Sequence, residues 1–221
     1  MTIRTVLFDL DGTLADTGPD LAFALNEALR EAGREPLPYA IIRPVVSHGG
    51  TALLQLGFGD SLPAAEFDRI REFFLATYLT HITRETALFP GMTELLAAIE
   101  ERKLNWGVVT NKPAWLTDPL MAGLGLTARA VTIVSGDTLP ERKPHPAPML
   151  LACREAGSSA SECLYLGDAE RDIAAGRNAG MSTLVAAYGY LGSDDHPADW
   201  GADGIIDHPL QLLEWLDAAA A

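Results

Sequence analysis

The chain has 221 residues, of which 48% are hydrophobic and 21% are charged, and these proportions exclude an intrinsically disordered protein. The formal net charge of -14 repels nucleic acid and anionic lipid, so we expect no nucleic-acid partner and no membrane. The length allows one large core, or one core with a small accessory domain.

Short apolar runs predict strands, and the longer segments between them predict helices. The predicted strands are 5–10, 105–110, 130–135, 163–166, 183–187 and 204–206. The predicted helices are 19–32, 63–84, 92–102, 114–124, 146–156, 170–179 and 210–219. Four of these helices stop directly before a glycine, a common signal for a helix C-terminus. Because strands alternate with helices, we predict an α/β fold with a Rossmann-like, doubly wound parallel sheet.

One interval between strands is much longer than the others. After the first strand the next begins only at Asn105, far beyond the roughly 30 residues of one βαβ unit. A structureless loop of that length is uncommon in a compact domain. We therefore predict a small α-helical cap domain at residues 16–86, inserted into a core domain formed by residues 1–15 and 87–221.

The N-terminus and the cysteines bear on the compartment. Arg4, Asp9 and Asp11 interrupt any apolar stretch that could serve as a secretory signal. Cys153 and Cys163 are too few for a disulfide framework and have no metal-ligand spacing. We expect a cytoplasmic monomer or homodimer with reduced thiols.

Asp9 and Asp11 end the first predicted strand, in the run DLDGT. Residues two apart in an extended segment face the same side, so both carboxylates can enter one pocket while Leu10 faces away. Open α/β sheets bind ligands at this edge. One carboxylate can attack a substrate while the other exchanges a proton. The alternative is an acidic turn with no chemistry, which the longer run DLDGTLADT disfavours.

A second acidic pair follows a later strand. Asp168 ends the strand that contains CLYLG, and Asp172 lies in the first turn of the next helix. Acidic residues there can simply complement the helix dipole. Together with Asp9 and Asp11, however, they predict a magnesium site, because Mg²⁺ prefers hard oxygen ligands. No cluster of His and Cys in the sequence indicates zinc.

Phosphate needs local cations and hydrogen-bond donors on so acidic a chain. Thr110 and Asn111 follow the second strand of the sheet, and Lys143 lies in the proline-rich loop RKPHPAP. A single lysine is more often a solvated surface charge. Its predicted position at the same edge of the sheet favours a phosphate site.

Four motifs now stand in order along the chain: DLDGT, VVTN, the Lys143-Pro144 loop and GDAERD. As a set they resemble the motifs of the haloacid dehalogenase superfamily, and the inserted helices resemble its C1-type cap. The resemblance spans residues 6–172. It implies that Asp9 is the nucleophile and that Asp11 is the general acid and base, with its backbone carbonyl on the metal.

The same resemblance implies roles for the remaining motif residues. Thr110 and Asn111 would contact the phosphate, and Lys143 would offset its charge and orient Asp9. Asp168 would bind Mg²⁺, and Asp172 would do so directly or through water. The dehalogenases of the superfamily lack the second aspartate of the first motif, because a halide leaves without a proton. Asp11 therefore indicates phosphoryl transfer, in which an alkoxide leaving group benefits from protonation.

The loops indicate a narrower class of substrate. TNKP and the small helical cap are similar to those of phosphoglycolate phosphatases. WGVVTNKP, YGY and DHPADWGAD resemble N-acetylmuramic acid 6-phosphate phosphatases even more closely. Both substrates are small phosphorylated metabolites with a carboxylate, so a cap cation would suit either. The candidates in the cap are Arg43 and the turn Ser47-His48-Gly49-Gly50, although this segment can also be a plain turn between helices.

Two other functions are compatible with the same motifs. A phosphosugar mutase of the β-phosphoglucomutase type shares every core motif and differs in passing the phosphoryl group to a second sugar hydroxyl. A non-catalytic binding module would use the fold as a scaffold. The presence of both Asp9 and Asp11 argues against the binding module.

Overall fold

The computed structural model describes residues 2–59 and 62–220, and its largest element is a parallel sheet. The strands are β1 (Thr5–Phe8), β2 (Ala15–Asp16), β3 (Ala87–Leu88), β4 (Asn105–Val109), β5 (Ile133–Val134), β6 (Cys163–Gly167), β7 (Ser182–Ala186) and β8 (Gly204–Ile206). The large sheet has the order β5-β4-β1-β6-β7-β8, with every neighbouring pair parallel. The predicted parallel α/β sheet is confirmed.

The helices follow the predicted alternation in the core. They are α1 (Gly18–Glu31), α2 (Tyr39–Ile42), α3 (Gly50–Phe58), α4 (Ala64–Thr80), α5 (Met92–Glu101), α6 (Ala114–Gly123), α7 (Ala147–Glu155), α8 (Glu170–Ala179) and α9 (Leu212–Ala220). Between α2 and α3 the chain forms a 3₁₀ helix at Arg43–His48. None of the helices in the described ranges is both long and apolar enough to cross a membrane.

Both faces of the sheet are covered, as a parallel sheet requires. Alternate residues of β1 point to opposite faces, so Val6 and Phe8 join one apolar cluster and Leu7 joins another. Side chains of α5 and α9 pack in the first cluster, and side chains of α7 and α8 pack in the second. This burial explains why the core strands are apolar runs without alternation.

Two predicted elements are shorter than expected. The predicted strand 130–135 is reduced to β5, because Ala130 N donates to Leu126 O in the turn after α6. The predicted helix 63–84 ends at Thr80, and the following residues form a turn in which Arg84 N donates to His81 O. Nothing in the sequence pattern indicates α2 or the β2–β3 ribbon.

The β2–β3 ribbon lies where the chain leaves the sheet for the helices α1–α4 and where it returns. Ala15 pairs with Leu88 and Asp16 with Ala87. The buried Asp20 carboxylate accepts hydrogen bonds from Glu85 N and Thr86 N, which fastens the return segment to α1. These two crossings coincide with the predicted ends of the cap, whose boundaries remain predictions.

Candidate active site

The carboxyl ends of β1, β4 and β6 bring the sequence motifs to one edge of the sheet. Asp9 follows β1, Thr110 follows β4 and Asp168 follows β6. Asp9 N donates to Leu166 O over 2.9 Å, which fixes the two acidic segments side by side. Gly12 has φ of 83°, and a side chain there would collide with the Asp168 carboxylate, so the turn after Asp9 requires glycine.

Lys143 lies between two of the carboxylates. Its Nζ is 2.8 Å from Asp9 Oδ1 and 2.7 Å from Asp172 Oδ1. The same ammonium donates to Val109 O over 2.9 Å and to Tyr165 Oη over 2.8 Å. Lys143 is 3% exposed, Asp9 3% and Asp172 0%. A buried ammonium with this many partners is held in one place, and it fixes the orientation of the Asp9 carboxylate.

Asp172 has a separate partner for each carboxylate oxygen. Oδ2 accepts a hydrogen bond from Ala169 N over 3.1 Å at the start of α8, while Oδ1 pairs with Lys143. The Asp172 side chain therefore binds the backbone at the start of α8 and also pairs with the lysine of the site.

Asp168 has one satisfied oxygen and one without a partner. Oδ2 accepts hydrogen bonds from Ser47 Oγ over 2.6 Å and from Tyr190 N over 2.9 Å. Oδ1 is buried, and no described residue gives it a hydrogen bond or an ion pair. Ligand oxygens of Asp9, Asp168 and Asp172 lie within 4.8 Å of one another. Three buried carboxylates with an unpartnered oxygen are a donor set that fits Mg²⁺.

The carboxylates of this cluster repel one another. Burial, together with the charge of Asp172, raises the pKa of Asp9 from 3.8 to about 6, although Lys143 opposes the shift. Burial, followed by the charges of Asp9 and Asp172, raises the pKa of Asp168 from 3.8 to about 7. Burial acts to lower the pKa of Lys143, but the charges of Asp172 and Asp9 outweigh it and raise that pKa. A divalent cation at the cluster favours the ionised carboxylates.

The Asp11 side chain turns away from the cluster. Its Oδ1 accepts hydrogen bonds from Lys112 Nζ over 2.7 Å and from Thr17 Oγ1 over 2.6 Å. Lys112 Nζ also lies 4.8 Å from the centre of the Tyr78 ring. Burial acts to lower the pKa of Lys112, yet the charges of Asp11 and Tyr78 raise it above its usual value. Asp9 and Asp11 therefore pair with different lysines, Lys143 and Lys112.

Thr110 and Asn111 connect the strand ends to the lysines. Asn111 Oδ1 accepts from Lys143 N, and Asn111 Nδ2 donates to Lys143 O, both over 3.1 Å. Thr110 Oγ1 accepts from Lys112 N over 3.1 Å. Both residues line the cavity, and their contact with phosphate remains a prediction. Asn111 also holds the Lys143 loop through its two hydrogen bonds.

A cavity of about 540 Å³ lies between the sheet edge and the helices α1, α3 and α4. It is lined by Asp9, Asp11 and the predicted cap residues His48 and Gly49. Gly49 has φ of 87° and immediately precedes α3, whose N-terminal residues Gly50 and Thr51 also line the cavity. His48 is exposed at the rim.

The structure does not bring Arg43 to this cavity. Arg43 Nη2 donates to Tyr188 O over 3.1 Å and to Gly189 O over 2.8 Å, and the guanidinium lies 5.2 Å from the Tyr190 ring centre. Arg43 therefore joins the cap to the core, because its length and its donors are used on a backbone loop of the core. Substrate binding was the role expected from the sequence, and this placement does not support it.

Comparison with known proteins shows the family. Residues 6–186 match the family model of the haloacid dehalogenase-like hydrolases. The chain belongs to this family. It is 44% identical to the N-acetylmuramic acid 6-phosphate phosphatase of Pseudomonas aeruginosa, over 99% of this chain and 97% of the relative. It is 43% identical to a phosphoglycolate phosphatase of Xanthomonas campestris pv. campestris, over 96% of this chain and 95% of the relative.

Solved structures agree at the level of the fold. The crystal structure of a predicted phosphoglycolate phosphatase from Haemophilus somnus 129pt superposes with a TM-score of 0.88 at 28% identity, covering 97% of this chain and 98% of that one. The prediction of a phosphatase of the haloacid dehalogenase-like family is confirmed.

Sequence reasoning missed two residues of the site, Lys112 and Arg171, and it named Ser47 only as part of a candidate turn in the cap. Lys112 stands inside the motif TNKP, whose resemblance to phosphatase motifs does not by itself indicate a contact with Asp11. Arg171 lies between two predicted ligands in GDAERD and donates to Ser47 O. Ser47 contacts Asp168 from the cap. A cationic residue within a motif is a signal that sequence alone offers, whereas nothing in the sequence indicated that Ser47 would contact Asp168.

Proposed function

We propose that the protein is a magnesium-dependent phosphomonoesterase that forms an aspartyl-phosphate on Asp9. The observation that carries the proposal is the buried cluster in which Lys143 Nζ lies 2.8 Å from Asp9 Oδ1 and Asp168 Oδ1 has no described partner. Lys143 holds the Asp9 carboxylate by one oxygen. No described residue donates a hydrogen bond to the other oxygen, Oδ2, which we assign as the attacking atom.

The residues that would hold Mg²⁺ are Asp9, Asp168 and Asp172, with the backbone carbonyl of Asp11 as a further ligand. When bound, the ion supplies positive charge that offsets the phosphate and keeps the carboxylates ionised. The raised pKa values of Asp9 and Asp168 support this assignment, because these two carboxylates are less stable in their charged forms without a cation.

The reaction is two successive displacements at phosphorus. Asp9 Oδ2 attacks, the bond from phosphorus to the ester oxygen breaks, and Asp11 gives its proton to the leaving alkoxide. Water then attacks the aspartyl-phosphate, Asp11 takes the proton from that water, and the bond to Asp9 breaks to release inorganic phosphate. Lys143 keeps Asp9 in place through both steps, and the cap excludes bulk water.

The substrate is a small phosphorylated metabolite that bears a carboxylate. The relatives support two candidates, since one is named for N-acetylmuramic acid 6-phosphate and the other for phosphoglycolate. A cavity of about 540 Å³ leaves room for more than a two-carbon acid, so it favours the sugar phosphate. The cytoplasmic location and the state as monomer or homodimer remain predictions.

The test is the release of inorganic phosphate from both candidate substrates, with and without Mg²⁺ and without any sugar bisphosphate. We expect turnover that requires Mg²⁺ and is abolished in Asp9→Asn. Asp118→Asn, which removes an exposed carboxylate on α6, should keep full turnover. Release of phosphate by Asp9→Asn, after deamidation has been excluded, would contradict the proposal. A requirement for a sugar bisphosphate would favour the mutase instead.

A further inference from the structure

Trp115 is a large apolar side chain left open to solvent in the wall of the cavity. It lies in the first turn of α6 and is 46% exposed, whereas the adjacent Leu116 is buried. Both residues line the cavity, as does the buried Phe74 of the cap. An exposed aromatic side chain in a concave site is a surface suited to the apolar part of a ligand.

Arg142 lines the same cavity, one residue before Lys143. Within residues 2–59 and 62–220 its guanidinium has no hydrogen-bond or ion-pair partner. Two other long cationic side chains of the cavity are already engaged, Lys112 by Asp11 and Arg171 by Ser47. Arg71 of the cap has only an exposed ion pair of 3.7 Å with Asp68. Arg142 is therefore available to an anion that enters the cavity.

The segments that carry Trp115 and Arg142 are tied to each other. Gly136 N donates to Lys112 O over 2.8 Å, and Ala114 N donates to Asp137 Oδ1 over 2.8 Å. The paired hydrogen bonds between Asn111 and the Lys143 backbone close the same connection. Both segments belong to the core, so their relative position does not depend on the cap. A preformed site of this kind costs less entropy when a ligand binds.

We propose that Trp115 and Arg142 form a recognition subsite for a phosphorylated sugar acid. Trp115 packs on the apolar face of the sugar ring, and Arg142 binds a carboxylate carried by the ring. A guanidinium matches a carboxylate through paired hydrogen bonds, and a chain of net charge -14 needs such a local cation. A two-carbon acid offers no ring face to Trp115. This inference rests on the proposed function, because it concerns the same cavity.

The test compares kcat/KM for three substrates: N-acetylmuramic acid 6-phosphate, N-acetylglucosamine 6-phosphate, which has the same ring without the lactyl carboxylate, and 2-phosphoglycolate. Arg142→Ala should lower the preference for the first substrate over the second by about tenfold, a change typical of one lost ionic contact. Arg142→Lys should restore part of it. Arg154→Ala, which removes an exposed arginine on α7, should leave the preference unchanged.

Trp115 is tested by its effect on both sugar phosphates. Trp115→Ala should lower their kcat/KM by about tenfold relative to 2-phosphoglycolate, and Trp115→Phe should lose less. Thermal unfolding of each variant checks that the fold is retained.

Equal losses by Arg142→Ala on all three substrates would overturn the subsite, because they would mean that the residue only positions Lys143. The subsite would also be overturned if Trp115→Ala left the ratio of kcat/KM between the sugar phosphates and 2-phosphoglycolate unchanged. A wild-type enzyme that cleaves 2-phosphoglycolate but neither sugar phosphate would overturn it as well. Failure of the proposed function has a different signature. In that case wild type releases phosphate from none of the three substrates, or Asp9→Asn releases it as fast as wild type.

Discussion

At the scale of single residues, two buried lysines divide the carboxylates of the site between them. Lys143 pairs with Asp9 and Asp172, and Lys112 pairs with Asp11. Asp9 and Asp11 are two positions apart in the chain, yet they have different partners because the chain turns sharply at Gly12. The proposed nucleophile and the proposed proton-transfer group are thereby held in separate environments.

Lys112 is expected to position Asp11. Lys112→Met removes the contact of 2.7 Å and leaves Asp11 with Thr17. We expect kcat for an alkyl phosphate to fall by about tenfold to 10²-fold, which is only part of the roughly 10²–10⁴-fold that general acid–base catalysis supplies, because Asp11 itself remains. Turnover of para-nitrophenyl phosphate should fall less, because its leaving group needs little protonation.

Steady-state kinetics on both esters check this expectation, with Lys112→Arg as the conservative variant that retains the charge. Equal losses on the two esters would show that Lys112 supports the fold of the site and has no effect on proton transfer.

At the scale of elements, the contacts between the cap and the core use a few side chains. Arg43, in the 3₁₀ helix before α3, donates to the backbone of Tyr188 and Gly189. Ser47 of the same segment reaches Asp168, and Arg171 of α8 reaches back to Ser47. One short segment of the predicted cap therefore contacts both a predicted metal ligand and a core loop. We therefore expect closure of that cap to affect the geometry of the site.

Arg43→Ala should weaken closure without changing substrate preference. We expect kcat/KM to fall by a similar factor, about three- to tenfold, for N-acetylmuramic acid 6-phosphate and para-nitrophenyl phosphate, because Arg43 does not line the cavity and the hydrogen bonds lost are worth about 1 kcal/mol each. Hydrogen exchange at β2 and β3 should become faster.

Arg34→Ala is the matched control for this variant. Arg34 also donates to two carbonyls, those of Gly57 and Phe58, and lies over the Phe58 ring, but all of these contacts are inside the cap. Arg34→Ala should leave hydrogen exchange at β2 and β3 unchanged. A loss of kcat/KM in Arg43→Ala that is confined to the sugar phosphate would show instead that Arg43 recognises the substrate.

At the scale of the whole molecule, the core was predictable because short, local sequence patterns indicate its strands and motifs. Buried parallel strands are apolar runs, and the motifs Asp9-Asp11, Thr110-Asn111 and Asp168-Asp172 follow strand ends that the sheet brings to one edge. The cap was less predictable. Its contacts join residues far apart in sequence, such as Ser47 with Asp168, and short elements such as α2 are too brief to show a periodic pattern.

The acidic cluster makes the stability of the whole chain depend on pH and metal. Asp9 and Asp168 have pKa values raised from 3.8 to about 6 and about 7, so the folded, metal-free protein binds more protons than the unfolded chain between about pH 4 and pH 7. The free energy of unfolding without metal should therefore fall as the pH rises from 5 to 8. The fall is about 1.4 kcal/mol for each pH unit over which the folded chain holds one proton more than the unfolded chain. Added Mg²⁺ should stabilise more at pH 8 than at pH 5.

Urea unfolding at pH 5 and pH 8, with chelator or with Mg²⁺, measures this dependence. Asp168→Asn should show a smaller fall between the two pH values and a smaller gain from Mg²⁺. The difference between wild type and Asp168→Asn is the informative quantity, because it isolates the contribution of this one carboxyl group. The same pH dependence and the same gain from Mg²⁺ in both proteins would contradict the assignment of the cluster.

The central claim is that Asp9 carries the phosphoryl group, and trapping the intermediate tests it most directly. Wild type mixed with excess substrate and Mg²⁺ is quenched in acid during turnover and reduced with borohydride, which converts an aspartyl-phosphate to homoserine. Peptide mass spectrometry then locates the change. With para-nitrophenyl phosphate, whose leaving group needs little protonation, Asp11→Asn should accumulate more of the intermediate because water is no longer activated. We predict conversion at Asp9 and at no other carboxylate. Modification of a different residue, or rapid turnover in both proteins with Asp9 always unmodified, would contradict the account.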